Sequence, residues 1–508
     1  MRVIDIFDRA ARRFPHRPCL IDEEQSWSYA EVRRATGGLA RWLNDEVEGD
    51  SPRIAVLSPN CAVAIIAILA IFQRNGVWIP ANSKTSGDHI AGFLRTSRCQ
   101  LLLAHRSLET VATQAARLAD CPLRLLPEVT SLDAPAEDVL ERAWRMEDAA
   151  TLFATGGTTG SPKAAVWTHR TWATQFANFH AGISHRGIPV NLAATPISHA
   201  AGLVSIYLFA LGASTVLIDR AEPRRVMNAL EAHRVTTVFL PPTVIYTLLA
   251  DPDIRHRDFS SLQNMIYAAA PMSVDKLKAA IEIFGPVMTQ TFGQAEAPMV
   301  CTILTRDDHV EALKRRDDSR LASCGRPALL TQVAIVDDAG NEVPDRTVGE
   351  VVVKGDLLMA GYFENEEATS ACRLENGWQR TGDLGFIDEE GFVSITDRKR
   401  DMIISGGFNI YPSEIEHVLW SHEAVQDCAV IGCPDPKWGE AVVAVVELKA
   451  GKSCEAQALI ALCKERLGSV RTPKRIDFWG ELPRSPVGKV LKRAIRDQYW
   501  ANETRQIR

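Results

Sequence analysis

The residues with the clearest chemical potential lie in Phe153-Ala154-Thr155-Gly156-Gly157-Thr158-Thr159-Gly160-Ser161-Pro162-Lys163. Glycines let backbone N–H groups turn toward an anion, hydroxyls add donors, and a terminal lysine supplies a point charge. Such a loop suits phosphate. It is not the common nucleotide loop G-x-x-x-x-G-K-[ST], because Ser161 and Pro162 separate Gly160 from Lys163. A solvated turn would account for glycines and threonines alone. Three glycines and three threonines closed by a lysine argue for an anion site. The apolar runs Ala149-Ala150-Thr151-Leu152 and Ala164-Ala165-Val166-Trp167 predict strands on either side.

The loop resembles the phosphate loop of the adenylate-forming enzymes: acyl-CoA synthetases, peptide-synthetase adenylation domains and luciferases. Their pattern is close to T-S-G-T-T-G-x-P-K-G. This chain departs from it at Gly156 and Ala164. Further motifs of that family follow in order. Pro196-Ile197-Ser198-His199-Ala200-Ala201-Gly202 resembles P-x-x-H-x-x-G, which makes His199 an aromatic gate beside the acyl site. Ala268-Ala269-Ala270-Pro271 resembles the segment that lies against adenine, where a flat base approaches backbone only past small side chains. Thr291-Phe292-Gly293-Gln294-Ala295-Glu296 resembles aromatic-G-x-T-E. The resemblance places Phe292 and Gly293 at the adenine and Glu296 on Mg²⁺, a cation that wants hard oxygen ligands. Ala295 replaces a threonine that contacts the α-phosphate. A hydrogen bond to a charged group is worth roughly 1.5–3 kcal/mol, so its loss would slow adenylation.

Gly377-Trp378-Gln379-Arg380-Thr381-Gly382-Asp383-Leu384-Gly385 matches G-W-x-x-T-G-D-x-G, which makes Asp383 the ligand of a ribose diol. In Asp397-Arg398-Lys399-Arg400-Asp401 the resemblance gives Arg398 to the ribose and makes Arg400 the hinge, a position usually Asp or Lys. Gly406 and Gly407 would pass the pantetheine arm of coenzyme A. Leu482-Pro483-Arg484-Ser485-Pro486-Val487-Gly488-Lys489 resembles the C-terminal L-P-x-x-x-x-G-K motif. Lys489 would bridge carboxylate and α-phosphate and offset their repulsion.

The elements that must position these residues follow from pattern. Arg53–Ser58, Gly76–Pro80 and Leu101–Ala104 predict strands around a buried helix at 61–72. Ser214–Ile218, Val235–Leu240 and Met265–Ala268 repeat the alternation, with helices at 223–234 and 274–284. Strands alternating with helices predict layered α/β units with parallel sheet. From about Thr331, short strands with Gly/Asp turns predict a small antiparallel barrel. Residues 401–508 carry two or three strands and two or three helices, a further small unit. The fold expectation is therefore a large N-terminal domain of two layered α/β subdomains plus a small β-barrel, over 1–399. A small, mobile C-terminal α+β domain follows over 400–508.

The 508 residues exceed one typical domain, and 46% hydrophobic with 24% charged content describes an ordinary globular chain. A net charge of −6 without a dominant basic patch does not suggest nucleic acid. Eleven scattered cysteines without a C-x-x-C pair indicate neither a zinc site nor a disulfide framework, and fit a cytoplasmic setting. The N-terminal stretch lacks a signal-peptide core, and Ile6, Phe7, Ala10, Ala11 and Phe14 share a helical face expected to pack on the protein. The most apolar run, Cys61 to Phe72, falls short of the roughly 20 residues a membrane span needs. A homodimer is left open.

The resemblance covers roughly residues 10–495. It implies an acyl-CoA synthetase that uses ATP, Mg²⁺ and coenzyme A on a small-molecule carboxylic acid, medium- or long-chain fatty or aryl. The alternatives are an adenylation enzyme that loads a carrier protein, and a catalytically weak paralogue that binds nucleotide or acyl-adenylate.

Overall fold

The computed structural model describes residues 1–22, 25–129, 132, 143–155, 162–485 and 490–500. Its first sheet has six strands, in the order Leu123–Leu125, Leu101–Ala104, Arg53–Ser58, Val77–Asn82, Ala149–Thr155 and Lys163–Thr168. All neighbours run parallel except the last pair. The second sheet has nine strands. Its parallel centre runs Met288–Gln294, Asn264–Tyr267, Thr237–Phe239, Val190–Ala193, Ser214–Leu217 and Pro18–Asp22, with antiparallel strands at both edges.

Residue parity explains how the two sheets share one core. Successive side chains of a strand point to opposite faces. Ile54 and Val56 face the principal core, whereas Ala55 and Leu57 face a second one beneath helices Gly87–Thr96 and Glu109–Ala119. A sheet covered on both faces needs apolar residues at every position, and these strands read so. Between the sheets lie helices Ala62–Gln73 and Ala200–Phe209, apolar on all sides. Each fully buried Ile or Leu there contributes roughly 1.5–3 kcal/mol. Helix Val3–Arg13 lays Ile6, Phe7, Ala10 and Ala11 on the same core, as its sequence face requires.

Strands Gln332–Val336, Gly349–Lys354, Gln379–Ile387 and Val393–Arg398 form an antiparallel meander in chain order. The expected small barrel corresponds to this meander, in which no pairing among the described strands joins the first to the last.

The C-terminal part is richer in strand than its sequence suggests, with five strands and three helices among the described residues. Ile403–Ser405 and Phe408–Ile410 are a short hairpin whose glycine turn masks its pattern. The long pair Val425–Asp435 and Gly439–Leu448 forms the centre, and Arg475–Trp479 runs parallel to the latter. Helices Pro412–Trp420, Ala456–Leu467 and Lys492–Trp500 cover it. Among the described residues no helix is long and apolar enough to cross a membrane.

Candidate functional site

Strands Ala149–Thr155 and Lys163–Thr168 pair antiparallel with Thr155 opposite Lys163. The Gly/Thr loop therefore closes a hairpin. Gly156, Gly157, Thr158, Thr159 and Gly160 themselves lie outside the described residues, and Thr155 and Lys163 mark its two ends. A third segment adds to this hairpin. Val166 N–H donates to the Gly361 carbonyl (2.9 Å), Ala360 N–H to Val166 (2.8 Å) and Phe363 N–H to Ala164 (2.8 Å). That edge carries Tyr362, whose ring centroid lies 4.9 Å from the Lys163 ammonium.

The Tyr362 hydroxyl donates to Glu296 Oε1 at 2.6 Å. Burial and the carboxylate beside it push the phenol well above its ordinary pKa, so it remains a donor. Lys163 and Glu296 thus meet through one tyrosine, although they come from different sheets.

Glu296 sits in a two-residue reversal, Gln294 pairing with Ala297 across the strands Met288–Gln294 and Ala297–Leu304. The ladder shifts register between Phe292 and Gln294. Gly293 permits this, since a Cβ there would stand 2.5 Å from Met299 N and 2.8 Å from the Ala297 carbonyl. The backbone of the reversal is held from outside. The Glu296 carbonyl accepts from Gln379 Nε2 and Met359 N–H, both at 3.0 Å. The Ala295 carbonyl accepts from Trp167 Nε1 at 2.6 Å. The Ala295 methyl packs against the principal core. Phe292 packs with Ala297, Cys301, Val353 and Leu357.

His199 precedes helix Ala200–Phe209, and its Nδ1 lies 3.0 Å from Ser198 Oγ. Its ring meets the edge of Phe153 at 5.6 Å and 80°. Surrounding protein pushes its imidazole down to about 4, so the ring is neutral at neutral pH. The loop before it is fixed from the first sheet. Asn60 Oδ1 accepts from Ile197 N–H (2.9 Å), and Asn60 Nδ2 reaches the carbonyls of Ala193 (3.0 Å) and Thr195 (2.9 Å).

Ala268, Ala269 and Ala270 leave the C-terminal end of strand Asn264–Tyr267, the end where open α/β sheets bind ligands. Ala269 is exposed and left-handed, with φ +75°. Asp383 and Arg398 are direct cross-strand partners in the meander, with Arg398 Nε 3.3 Å from Asp383 Oδ1. Arg400 lies in the turn just after the last meander strand. Beside it, Asp397 Oδ2 accepts from Ser413 N–H at 2.9 Å, and the Ser413 hydroxyl donates to the Thr396 carbonyl. These bonds seat the start of helix Pro412–Trp420 on the meander. Gly406 and Gly407 form the two-residue turn of the short hairpin, both with positive φ. Lys489 lies outside the described residues. Arg484 and Val490 on either side of its segment bridge antiparallel, and Arg484 pairs with Asp427 (2.6 Å) and Glu447 (3.0 Å).

Thr155, Lys163, Glu296 and the Phe292–Gly293 strand therefore gather around the hairpin, and Asp383 joins Arg398. Sequence reading missed Trp167, Tyr362 and Gln379. Trp167 lay in an apolar run read only as a strand, Gln379 is a variable position of its motif, and Tyr362 falls outside every motif quoted. The chemistry of the set fits Mg·ATP: a lysine and a hydroxyl-rich loop for phosphates, a hard carboxylate for the metal, and small residues for a base.

The sequence profile of the "AMP-binding enzyme" family matches residues 7–363, and that of the "AMP-binding enzyme C-terminal domain" matches 414–489. A medium/long-chain-fatty-acid–CoA ligase, FadD8 of Mycobacterium tuberculosis, is 39% identical over 70% of this chain, a match that spans 62% of that relative's length. A feruloyl-CoA synthase of Amycolatopsis sp. is 32% identical over 97% of this chain and 98% of its own. The amide bond synthetase McbA of Marinactinospora thermotolerans superposes with a TM-score of 0.89 at 28% identity, over 98% of this chain and 100% of that one.

Proposed function

The chain belongs to the AMP-binding enzyme family as an adenylate-forming ligase of the acyl-CoA synthetase type, and from that premise we propose that it activates an apolar carboxylic acid, a medium- or long-chain fatty acid or an aryl acid. The observation that carries the reading is the sharing of Tyr362 by Lys163 and Glu296. That Lys163 and Glu296 meet at one tyrosine supports reading the first as a phosphate ligand and the second as a metal ligand.

The carboxylate oxygen attacks the α-phosphorus of ATP, the α–β bridging bond breaks, and pyrophosphate leaves. A thiolate then attacks the acyl carbon, the mixed-anhydride C–O bond breaks, and AMP leaves with the electron pair. Activation is needed because a bare carboxylate resists thiolate attack. Thr155, Lys163 and the loop residues Gly156–Gly160 hold phosphates in this scheme, and Lys489 draws carboxylate and α-phosphate together. Glu296 would hold Mg²⁺, which neutralises phosphate charge. Ala268–Ala270, Phe292 and Gly293 receive the base, and Asp383 with Arg398 receives the ribose. Neutral His199 walls the acid without adding charge. Arg400 is the hinge between units 1–399 and 400–508, and Gly406-Gly407 passes the pantetheine arm. All eleven cysteines are free thiols, which suits a cytoplasmic setting.

The test is a panel of fatty and aryl acids scored for pyrophosphate release, then for thioester with coenzyme A. Pyrophosphate release followed by a coenzyme A thioester is expected. Nucleotide binding without pyrophosphate for any acid would favour the non-catalytic paralogue. Pyrophosphate without thioester, with product only when an amine or carrier protein is added, would reassign the acceptor.

A further inference from the structure

We propose that Trp167 is a positioning residue that fixes the Glu296 reversal and ties it mechanically to His199, an inference that rests on the metal role given to Glu296 above. Trp167 lies on strand Lys163–Thr168 and is 1% exposed. Its two ends face different parts of the site. The indole N–H donates to the Ala295 carbonyl at 2.6 Å, on the residue directly before Glu296. The ring stacks on Phe153 with centroids 4.6 Å apart and planes at 9°, and Phe153 in turn meets His199. Trp172 braces the outer side at 5.9 Å and 73°, and its own N–H donates to Thr151 Oγ1 at 3.0 Å.

Three other bonds hold the reversal, from Gln379, Met359 and Tyr362. None of these three is stacked into the ring series that ends at His199. A core tryptophan needs only to fill volume and find some acceptor for its N–H. This one spends its N–H on the backbone of a candidate metal-binding turn. A carbonyl deprived of that donor in a buried setting rotates to seek another, and the carboxylate one residue on moves with it.

Two variants separate the functions of the ring. Trp167→Phe keeps a stacking face and removes the donor. Trp167→Leu removes both. The principal readout is calorimetric binding of magnesium in the presence of the α,β-methylene analogue of ATP, which needs no turnover. For Trp167→Phe the magnesium dissociation constant should rise about three- to tenfold, the worth of one lost hydrogen bond. Binding of the analogue without magnesium, and KM for the acid, should stay within about twofold, since no partner of either is removed. Trp167→Leu should add a rise in KM for the acid. Unchanged magnesium binding in a folded Trp167→Phe protein overturns the proposal. So does an equal loss of magnesium-free nucleotide binding, which would mark a general structural role. Wild-type protein that binds magnesium and analogue yet activates no acid would count against the proposed function and leave this test standing.

Discussion

The reversals at Ala295-Glu296 and at Gly406-Gly407 are both two-residue connections between antiparallel strands, yet they differ in how they are held. The Glu296 reversal draws its order from outside. Trp167, Met359, Tyr362 and Gln379 reach it from three distant stretches of chain. The Gly406 reversal draws part of its order from its own glycines and the rest from one stretch, Gly406 N–H donating to the Trp438 carbonyl and Ile404 N–H to Glu440 Oε2, both at 2.8 Å. Two positive-φ glycines give the tight turn that matches strand twist. Its flanking residues Ile404 and Phe408 are 54% and 58% exposed. The first turn is half-buried and immobilised by neighbours, which suits the metal role proposed for Glu296. The other stands in solvent, which suits the pantetheine path proposed for it.

The largest effect should come from Lys489→Ala, which tests the division of labour. Adenylation should fall by about a hundredfold or more, as when a transition-state charge partner is removed. Thioester formation from supplied acyl-adenylate should persist. Wild-type pyrophosphate release by this variant would remove Lys489 from the first half-reaction.

Next comes Glu296→Gln, which keeps an acceptor for Tyr362 and removes the anion. The magnesium concentration for half-maximal activity should rise roughly ten- to a hundredfold, with KM for the acid little changed. An unaltered magnesium titration would exclude Glu296 from the metal.

Gly406→Ala attacks the exposed turn. A Cβ would stand 2.7 Å from Trp438 Cε3, at φ +58°. Left-handed backbone costs roughly 1–2 kcal/mol for an L-residue, so the second half-reaction should slow about tenfold while adenylation is spared. Equal slowing of both half-reactions would refute the separation of the two turns.

Acidification should weaken the fold. Burial pushes His169, His185, His199 and His309 from 6.5 down to about 4. The unfolded chain therefore binds protons between those values and the folded chain does not. By linkage, this contribution to stability is complete above about pH 6.5 and is lost as pH falls toward about 4. Urea midpoints across that window should decline with pH, and a flat profile would contradict it.

The smallest effect is Ala269→Gly. It relieves a non-glycine residue at φ +75°, and the flexible glycine of the unfolded chain offsets part of the relief. The net gain should be up to about 1 kcal/mol in urea unfolding, with nucleotide binding retained.

Much of the candidate site was legible in the sequence because chemistry constrains local patterns. The Gly/Thr loop with Lys163 announces an anion site within a few residues, and the spacing of Phe292, Gly293 and Glu296 is likewise local. Alternating apolar runs disclosed the layered α/β units, since a strand buried on both faces needs apolar residues throughout. Glycine-broken strands such as Ile403–Ser405 gave no such run, and sheet closure is a property of the whole meander.

What the sequence by itself determined was the set of reactive types and the alternation that carries them. Only the tertiary structure decided their company. Tyr362 stands 66 positions from Glu296, and Trp167 stands 128 positions from Ala295. No periodicity relates such residues. Their contact exists because an edge segment adds to the phosphate hairpin and two sheets close on one apolar core, which brings together donors and acceptors that the chain keeps far apart.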